Sequence, residues 1–423
     1  MERDAEKRRQ LRRERAAQRQ KQEKRILLSL IAAGIVLMGC GFLIFSLSRK
    51  SPQSAETQPS EIETVPASSE ESVSSEPTLP PTVTIHYAAA GDLNITADTV
   101  QSGGMNYLYT DTFLDVASLL ADAHLTSLNF EGTLRGAPYG SSFSAPQSMA
   151  QALSRAGVDL VQMANSYSIT GGLSGLSASI NSIRSAGMEA LGVYENQKAF
   201  SQGKGYTIRT VEGIKLAFVA FTKGMDGMTL PTGSENCVNV LYEDYDSIYQ
   251  KVDREKITSI LSDVQKEQPD LVIALLHWGS EFNDTISSSQ ETIASLMFQN
   301  GVDAIIGTHS HYVQKMELDP ETGKFLAYSL GDFFSNANRA GSEYSIILDL
   351  EITKDNVTGE TKITDYSYTP IFTVRETGKP LKVVQIHQAM DAYENNHINK
   401  VSKDTYDAMA YALKRIEARV AGE

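Results

Sequence analysis

The chain has 423 residues, with 38 Lys+Arg against 52 Asp+Glu, a net charge of −14, and 41% apolar residues. That balance excludes a wholly disordered chain and a protein of many membrane spans, and its acidity argues against nucleic acid as a partner. Two cysteines exclude both a disulfide scaffold and a thiolate zinc site.

The average charge conceals unlike segments. Residues 1–25 carry a net +6 and read as a basic cytoplasmic tail. Residues 26–48 carry no charge over 23 positions, enough for a helix of about 35 Å to cross a hydrocarbon core of about 30 Å. Leu37-Met38-Gly39-Cys40 has the look of a lipoprotein signal, and a cleaved signal peptide is the other rival. Gly41 to Leu47 stays apolar, however, and the run is read as an uncleaved transmembrane anchor. The positive-inside rule then puts Met1 in the cytoplasm and the remainder outside, a single-pass protein of the cell membrane. Residues 49–81 hold six prolines and six Glu and read as a disordered acidic stalk. Residues 82–423 are left with −16 and read as the folded extracellular domain.

From Thr82 the pattern becomes α/β. Gly157, Gly187 and Gly301 each stand between a helical segment and an apolar run, where a left-handed helix cap is expected. Leu271 to Leu276 reads as a strand covered on both faces. Tyr344 to Ile352 alternates at period two, and Tyr366 to Val374 is strand-like, so two antiparallel strands are expected there. Tyr406, Met409, Leu413, Ile416 and Val420 recur as the apolar stripe of a C-terminal helix.

The residues with chemical potential stand at the ends of the apolar runs. Val83 to Ala90 leads to Asp92, Leu125 to Phe130 leads to Glu131, and Val158 to Ala164 leads to Asn165. Leu271 to Leu276 leads to His277, and Ala304 to Thr308 leads to His309-Ser310-His311. In parallel strands these six side chains would meet at one sheet edge. The His-x-His pair would place both rings on one side of an extended segment. Carboxylate, amide and imidazole without thiolate suit zinc, manganese or iron, and the number suits two divalent ions. Each residue alone also has a plain structural reading as a cap, a turn former or a buried imidazole. His86, His124, His387 and His397 lie apart from this pattern and are read as structural or surface.

These stretches carry a resemblance. Ala90-Gly91-Asp92, Asn129-Phe130-Glu131-Gly132, Ala164-Asn165, His277-Trp278-Gly279-Ser280-Glu281, Gly307-Thr308-His309-Ser310-His311 and Tyr328-Ser329-Leu330-Gly331-Asp332-Phe333 occur in order over residues 82–340. The chain resembles the bacterial CapA / poly-γ-glutamate capsule synthesis family, similar to calcineurin-like metallophosphoesterases. The resemblance implies a sandwich of two mixed sheets flanked by helices. It implies metal ligation by Asp92, Glu131, Asn165, His277, His309 and His311, and an outer-surface role with a capsular polymer or its synthase complex.

Two positions depart from the family pattern. Ser166-Tyr167 replaces the usual Asn-His, so Tyr167 stands where the family often has a catalytic histidine. Asp332 replaces the usual Asn and adds a carboxylate to its motif. Glu281, four residues after His277, would face that imidazole if the segment were helical, or else mark a helix start. Trp278 is either core or a cleft wall, and Cys237 is expected to be a free thiol. A metal-dependent hydrolase of phosphoester or γ-glutamyl bonds is weighed against a non-catalytic assembly factor and a stalked receptor. Arg135, Lys223 and Arg339 are the cations nearest the motifs that could meet a polyanion.

Overall fold

The computed structural model describes residues 80–140 and 142–423. The expected tail, anchor and nearly all of the stalk lie outside the described residues. Among the described residues no helix is long and apolar enough to cross a membrane.

The chain lays down part of one sheet, builds a second, and returns to finish the first. Strands β1 (Thr82–Asn94), β2 (Leu125–Glu131), β3 (Leu160–Gln162) and β4 (Glu189–Leu191) pair in parallel in that order. A second sheet comes next: β5 (Tyr206–Val211), β6 (Ile214–Thr222), β7 (Leu271–His277), β8 (Ala304–Thr308), β9 (Met316–Leu318) and β10 (Phe325–Ala327). Its order is β5-β6-β7-β8-β10-β9, parallel from β6 to β10 with an antiparallel strand at each edge. Finally β11 (Asp332–Phe334) adds to β1 in parallel. Strands β12 (Tyr344–Asp355), β13 (Thr361–Val374) and β14 (Lys382–Gln385) extend the first sheet antiparallel beyond β1.

Burial explains the near-continuous apolar runs. In β7, Leu271, Ile273 and Leu275 face the core between the sheets, while Val272, Ala274 and Leu276 face a second core under helices. Tyr87 of β1 meets Phe218 of β6 across the inter-sheet layer, with ring centroids 5.5 Å apart. Truncating such a buried aromatic costs about 3–5 kcal/mol. Helix Arg254–Lys266 buries Ile257, Ile260, Leu261 and Val264 on the outer face of the second sheet, the spacing of one helical stripe. Helices Gln147–Ala156 and Gly172–Ser185 cover the first sheet in the same way. The C-terminal stripe forms helix Lys403–Ala421 and sets Met409, Ile416 and Val420 on the inter-sheet core.

The three capping glycines are all left-handed, with φ of 109° at Gly157, 87° at Gly187 and 85° at Gly301. Trp278 is core: it is 1% exposed, and its indole N–H donates to the Tyr328 carbonyl at 2.9 Å. Cys237 is a buried free thiol. Two local expectations are corrected. Asp92 lies inside β1, which runs on to Asn94, because β11 supplies a further parallel partner there. His309 and His311 are not on an extended segment: β8 ends at Thr308, and both take left-handed backbone, with φ of 89° and 61°.

Candidate metal centre

The sheet register itself gathers polar groups. Asp332 of β11, Asp92 of β1 and Asn129 of β2 are neighbours across three parallel strands. The approach of β11 is close: the Asp92 N–H donates to the Gly331 carbonyl at 2.9 Å. A Cβ on Gly91 would sit 1.8 Å from that oxygen, so only glycine fits before Asp92. Asn129 Nδ2 donates to Asp92 Oδ1 at 2.6 Å and stands 3.2 Å from His277 Nδ1. That amide therefore joins the first sheet to the second.

The second sheet delivers the imidazoles. His277 closes β7, fully buried, with Nε2 2.9 Å from Glu131 Oε1 and 3.1 Å from the Ser166 hydroxyl. The carboxylate contact is close but not aligned as a hydrogen bond, and Glu131 Oε1 has no hydrogen-bond partner among the described residues. The backbone N–H of His309 donates to Asp92 Oδ2 at 2.9 Å. Its left-handed turn leaves the ring 4.3 Å from that of His277. Both ring nitrogens of His309 are buried without a hydrogen-bond partner among the described residues. His311 Nδ1 stands 2.8 Å from Asp332 Oδ1, and Phe282 stacks on the His311 ring at 4.7 Å.

Two groups of three buried ligand atoms result. Glu131, His277 and His309 form one; Asp92, His311 and Asp332 form the other, and within each the atoms lie within 4.8 Å of one another. The groups adjoin: His277 Nδ1 is 4.0 Å from Asp92 Oδ1, and His311 Nε2 is 4.0 Å from Glu131 Oε2. Buried polar atoms are almost always partnered, so the bare nitrogens of His309 and the bare oxygen of Glu131 fit a cation.

The electrostatics agree. Burial, then the charges of Glu131 and Asp332, pushes Asp92 up to about 7, against relief from His311 and His277. Burial pushes Glu131 up to about 8, reinforced by Asp332 and Glu281. Burial pulls His277 down to about 3 and His309 well below its ordinary value. Burial works against the charged form of His311 too, but Asp332, Glu131 and Asp92 overcome it and raise that imidazole. Crowded carboxylates and the neutral His277 and His309 are a ligand set a divalent cation stabilises, and a cation bound at His311 would take the place of its proton.

The remaining expected residues fall at different depths. Asn165 is buried at the edge of the cluster; its Nδ2 donates to the Phe130 carbonyl at 2.7 Å and to Asn129 Oδ1 at 3.1 Å. Its Oδ1 accepts the Tyr167 N–H at 3.0 Å. Tyr167 is half-buried and stacks on Phe143 at 4.4 Å. Burial, then Glu131, Glu281 and Asp226, raises its phenol above the ordinary value, making it a weaker acid. The segment after His277 is a turn, not a helix, and Glu281 is exposed on it. The His277 ring contacts are instead Glu131, Asn129, Ser166, Thr308 and Asp92. Two participants escape the expected ligand set: Asn129, which shares its motif with Glu131, and Asp332. The Asn-to-Asp departure is the one signal for the latter.

The structure shows two mixed sheets flanked by helices, with carboxylates and imidazoles gathered at strand ends. Among solved structures it is similar to the calcineurin-like phosphoesterase YfkN from Bacillus subtilis, at 15% identity and a TM-score of 0.42 over 80% of this chain and 97% of that one. It is also similar to a phosphatase from Mycoplasma pneumoniae, at 14% identity and a TM-score of 0.42 over 69% and 94%. The chain belongs to the bacterial capsule synthesis protein family PGA_cap, whose model matches residues 86–337. It is 27% identical over 190 residues to the capsule biosynthesis protein CapA of Bacillus anthracis, covering 45% of this chain and 43% of that protein. It is 25% identical over 209 residues to the PGA biosynthesis protein CapA of Bacillus subtilis strain 168, covering 47% and 50%. The chain thus spans about half the length of these curated relatives.

Proposed function

We propose that this chain is a membrane-anchored outer-surface protein of capsular polymer synthesis, export or attachment. Its polymer is of the poly-γ-glutamate type, and its strand-end site is a two-metal hydrolase centre for a phosphoester or γ-glutamyl amide. The uncharged run 26–48 would anchor it, with the N-terminus cytoplasmic and residues 82–423 extracellular. Family membership supports the capsular setting. The observation that carries the chemistry is the pair of adjoining buried triads, with both His309 nitrogens unpartnered among the described residues.

Glu131, His277 and His309 would hold one ion, and Asp92, His311 and Asp332 the other, with Asn165 at the edge. Manganese, zinc or iron fits this donor set. When bound, such ions polarise a phosphoryl or carbonyl oxygen and lower the pKa of water. The protein's own part is orientation. Asp332 fixes the ring of His311 through Nδ1, and Asn129 ties Asp92 to the second sheet. Tyr167 would be the proton donor to the leaving group, and Glu281 would contribute negative charge to the site.

A second reading, a non-catalytic assembly or polymer-binding factor with a degenerate metal site, draws on Tyr167. A phenol raised above its ordinary pKa is a poor acid at neutral pH, and the family usually has histidine there. Metal analysis of the purified protein, with turnover measured on phosphodiester and γ-glutamyl substrates, separates the readings. Hydrolysis that requires metal and disappears in His309→Ala supports the first. Full metal content without turnover on either substrate supports the second.

A further inference from the structure

Arg339 is exposed, and its guanidinium carbon lies 3.9 Å over the centre of the Phe282 ring. Phe282 in turn stacks on His311. The loop bearing Arg339 is tied to the same region, because the Tyr312 hydroxyl donates to the Ala340 carbonyl at 3.0 Å. Among the described residues, no side-chain hydrogen bond or carboxylate partner is found for the Arg339 guanidinium. The neighbouring cations are committed elsewhere. Arg375 pairs with Asp98 at 3.1 Å, and Lys223 donates to the Gly279 carbonyl at 2.9 Å while lying over Tyr249.

An arginine held by its face keeps its edge donors free, and that edge matches the two oxygens of a carboxylate or phosphate. Beside it opens a cavity of about 340 Å³, lined also by Asn338, Thr373, Arg375, Glu343 and Asp404. Residues 82–423 carry −16, so an anionic chain approaching the site is repelled by the average field and needs a local cation.

We propose that Arg339, with the cavity it lines, forms an oxyanion subsite joined to the metal centre only through the Phe282 ring on His311, and that it binds a carboxylate or phosphate of the substrate. The inference rests on the hydrolase reading for its idea of a substrate, but its binding test does not depend on turnover. The metal-loaded full chain is titrated calorimetrically with inorganic phosphate and, separately, with a γ-linked glutamate trimer. At least one of them binds, and Arg339→Gln weakens that binding by about tenfold or more, the loss expected for a charge-assisted hydrogen-bond pair. Arg339→Lys recovers part of it, and the metal content of both variants stays at the wild-type value. Loss confined to phosphate identifies a phosphate ligand; loss confined to the trimer identifies the polymer carboxylates. Unchanged affinity in Arg339→Gln overturns the subsite, as does failure of both anions to bind the wild type at millimolar concentration. Weakened binding in a chain that hydrolyses nothing keeps the subsite and removes the hydrolase. Turnover with unchanged affinity does the reverse.

Discussion

Asp332 Oδ1 lies 2.8 Å from His311 Nδ1 and also accepts a 2.8 Å hydrogen bond from Asn94 Nδ2. The carboxylate therefore fixes the orientation of one imidazole and completes a triad with Asp92. Asp332→Asn keeps the shape and the Asn94 side of this network but removes the charge. Titration with manganese or zinc is expected to show one of two ions bound about 10–100-fold more weakly, the loss typical of a carboxylate that supports a ligating histidine. Unchanged affinity for both ions would show that Asp332 is only a strand residue.

The pH dependence of stability is expected to change with metal. In the folded, metal-free chain Asp92 and Glu131 hold protons up to about 7 and about 8, whereas the unfolded chain releases them near pH 4. His277 and His309 are neutral in the folded chain but still lose protons in the unfolded chain between about pH 6.5 and 7.5, so they offset part of this fall. His311, raised, loses its stabilising charge as pH climbs. The two raised carboxylates and His311 outweigh that offset, and Tm of the chelated protein falls from about pH 6.5 to about 8. Bound cations need deprotonated carboxylates, so their added stability grows over the same interval. Melting curves at both pH values, with chelator and with saturating manganese, check the opposing signs. Glu131→Gln flattens the metal-free slope.

Gly91 is a backbone requirement of the site. Its absent Cβ makes room for the Gly331 carbonyl, and the contact places Asp332 beside Asp92. Gly91→Ala forces the two strands apart and is expected to cost about 3 kcal/mol or more in urea denaturation. Where the variant still folds, it loses metal affinity in the Asp92–Asp332 group first.

Much of this arrangement is legible in the sequence. A period-two pattern places β12, a strand-like run from Tyr366 to Val374 places the second half of β13, and a period-3.6 stripe places the last helix. The helix–Gly–strand junctions mark the crossovers. Strand-end polar residues name five of the six members of the two triads. Asp332 is visible only as a departure from a motif, since its partnership with Asp92 arises from a parallel pairing between residues far apart in the chain. The left-handed backbone at His309 and His311 is not legible. Histidine carries no decisive local signal for positive φ, and the contacts that hold it there, such as the Asp92 carboxylate on the His309 N–H, are tertiary.

On the hydrolase reading, Tyr167 limits turnover. Its phenol is held above its ordinary pKa, and its ring is fixed by Phe143. Restoring imidazole with Tyr167→His is expected to raise turnover by about 10²-fold on the susceptible substrate, the scale of a well-matched general acid. Metal content stays the same. The added activity should show a pH profile falling above the imidazole pKa, which a merely structural change would not produce.

The most direct test of the two-triad centre is the metal stoichiometry of the purified chain after equilibration with manganese or zinc and removal of free ion. The expected result is two ions per chain, falling to about one in His309→Ala and about one in His311→Ala, since the two imidazoles belong to different groups. The double variant should hold none. A wild-type chain that retains no metal, or single variants that each lose both ions or neither, would contradict the account.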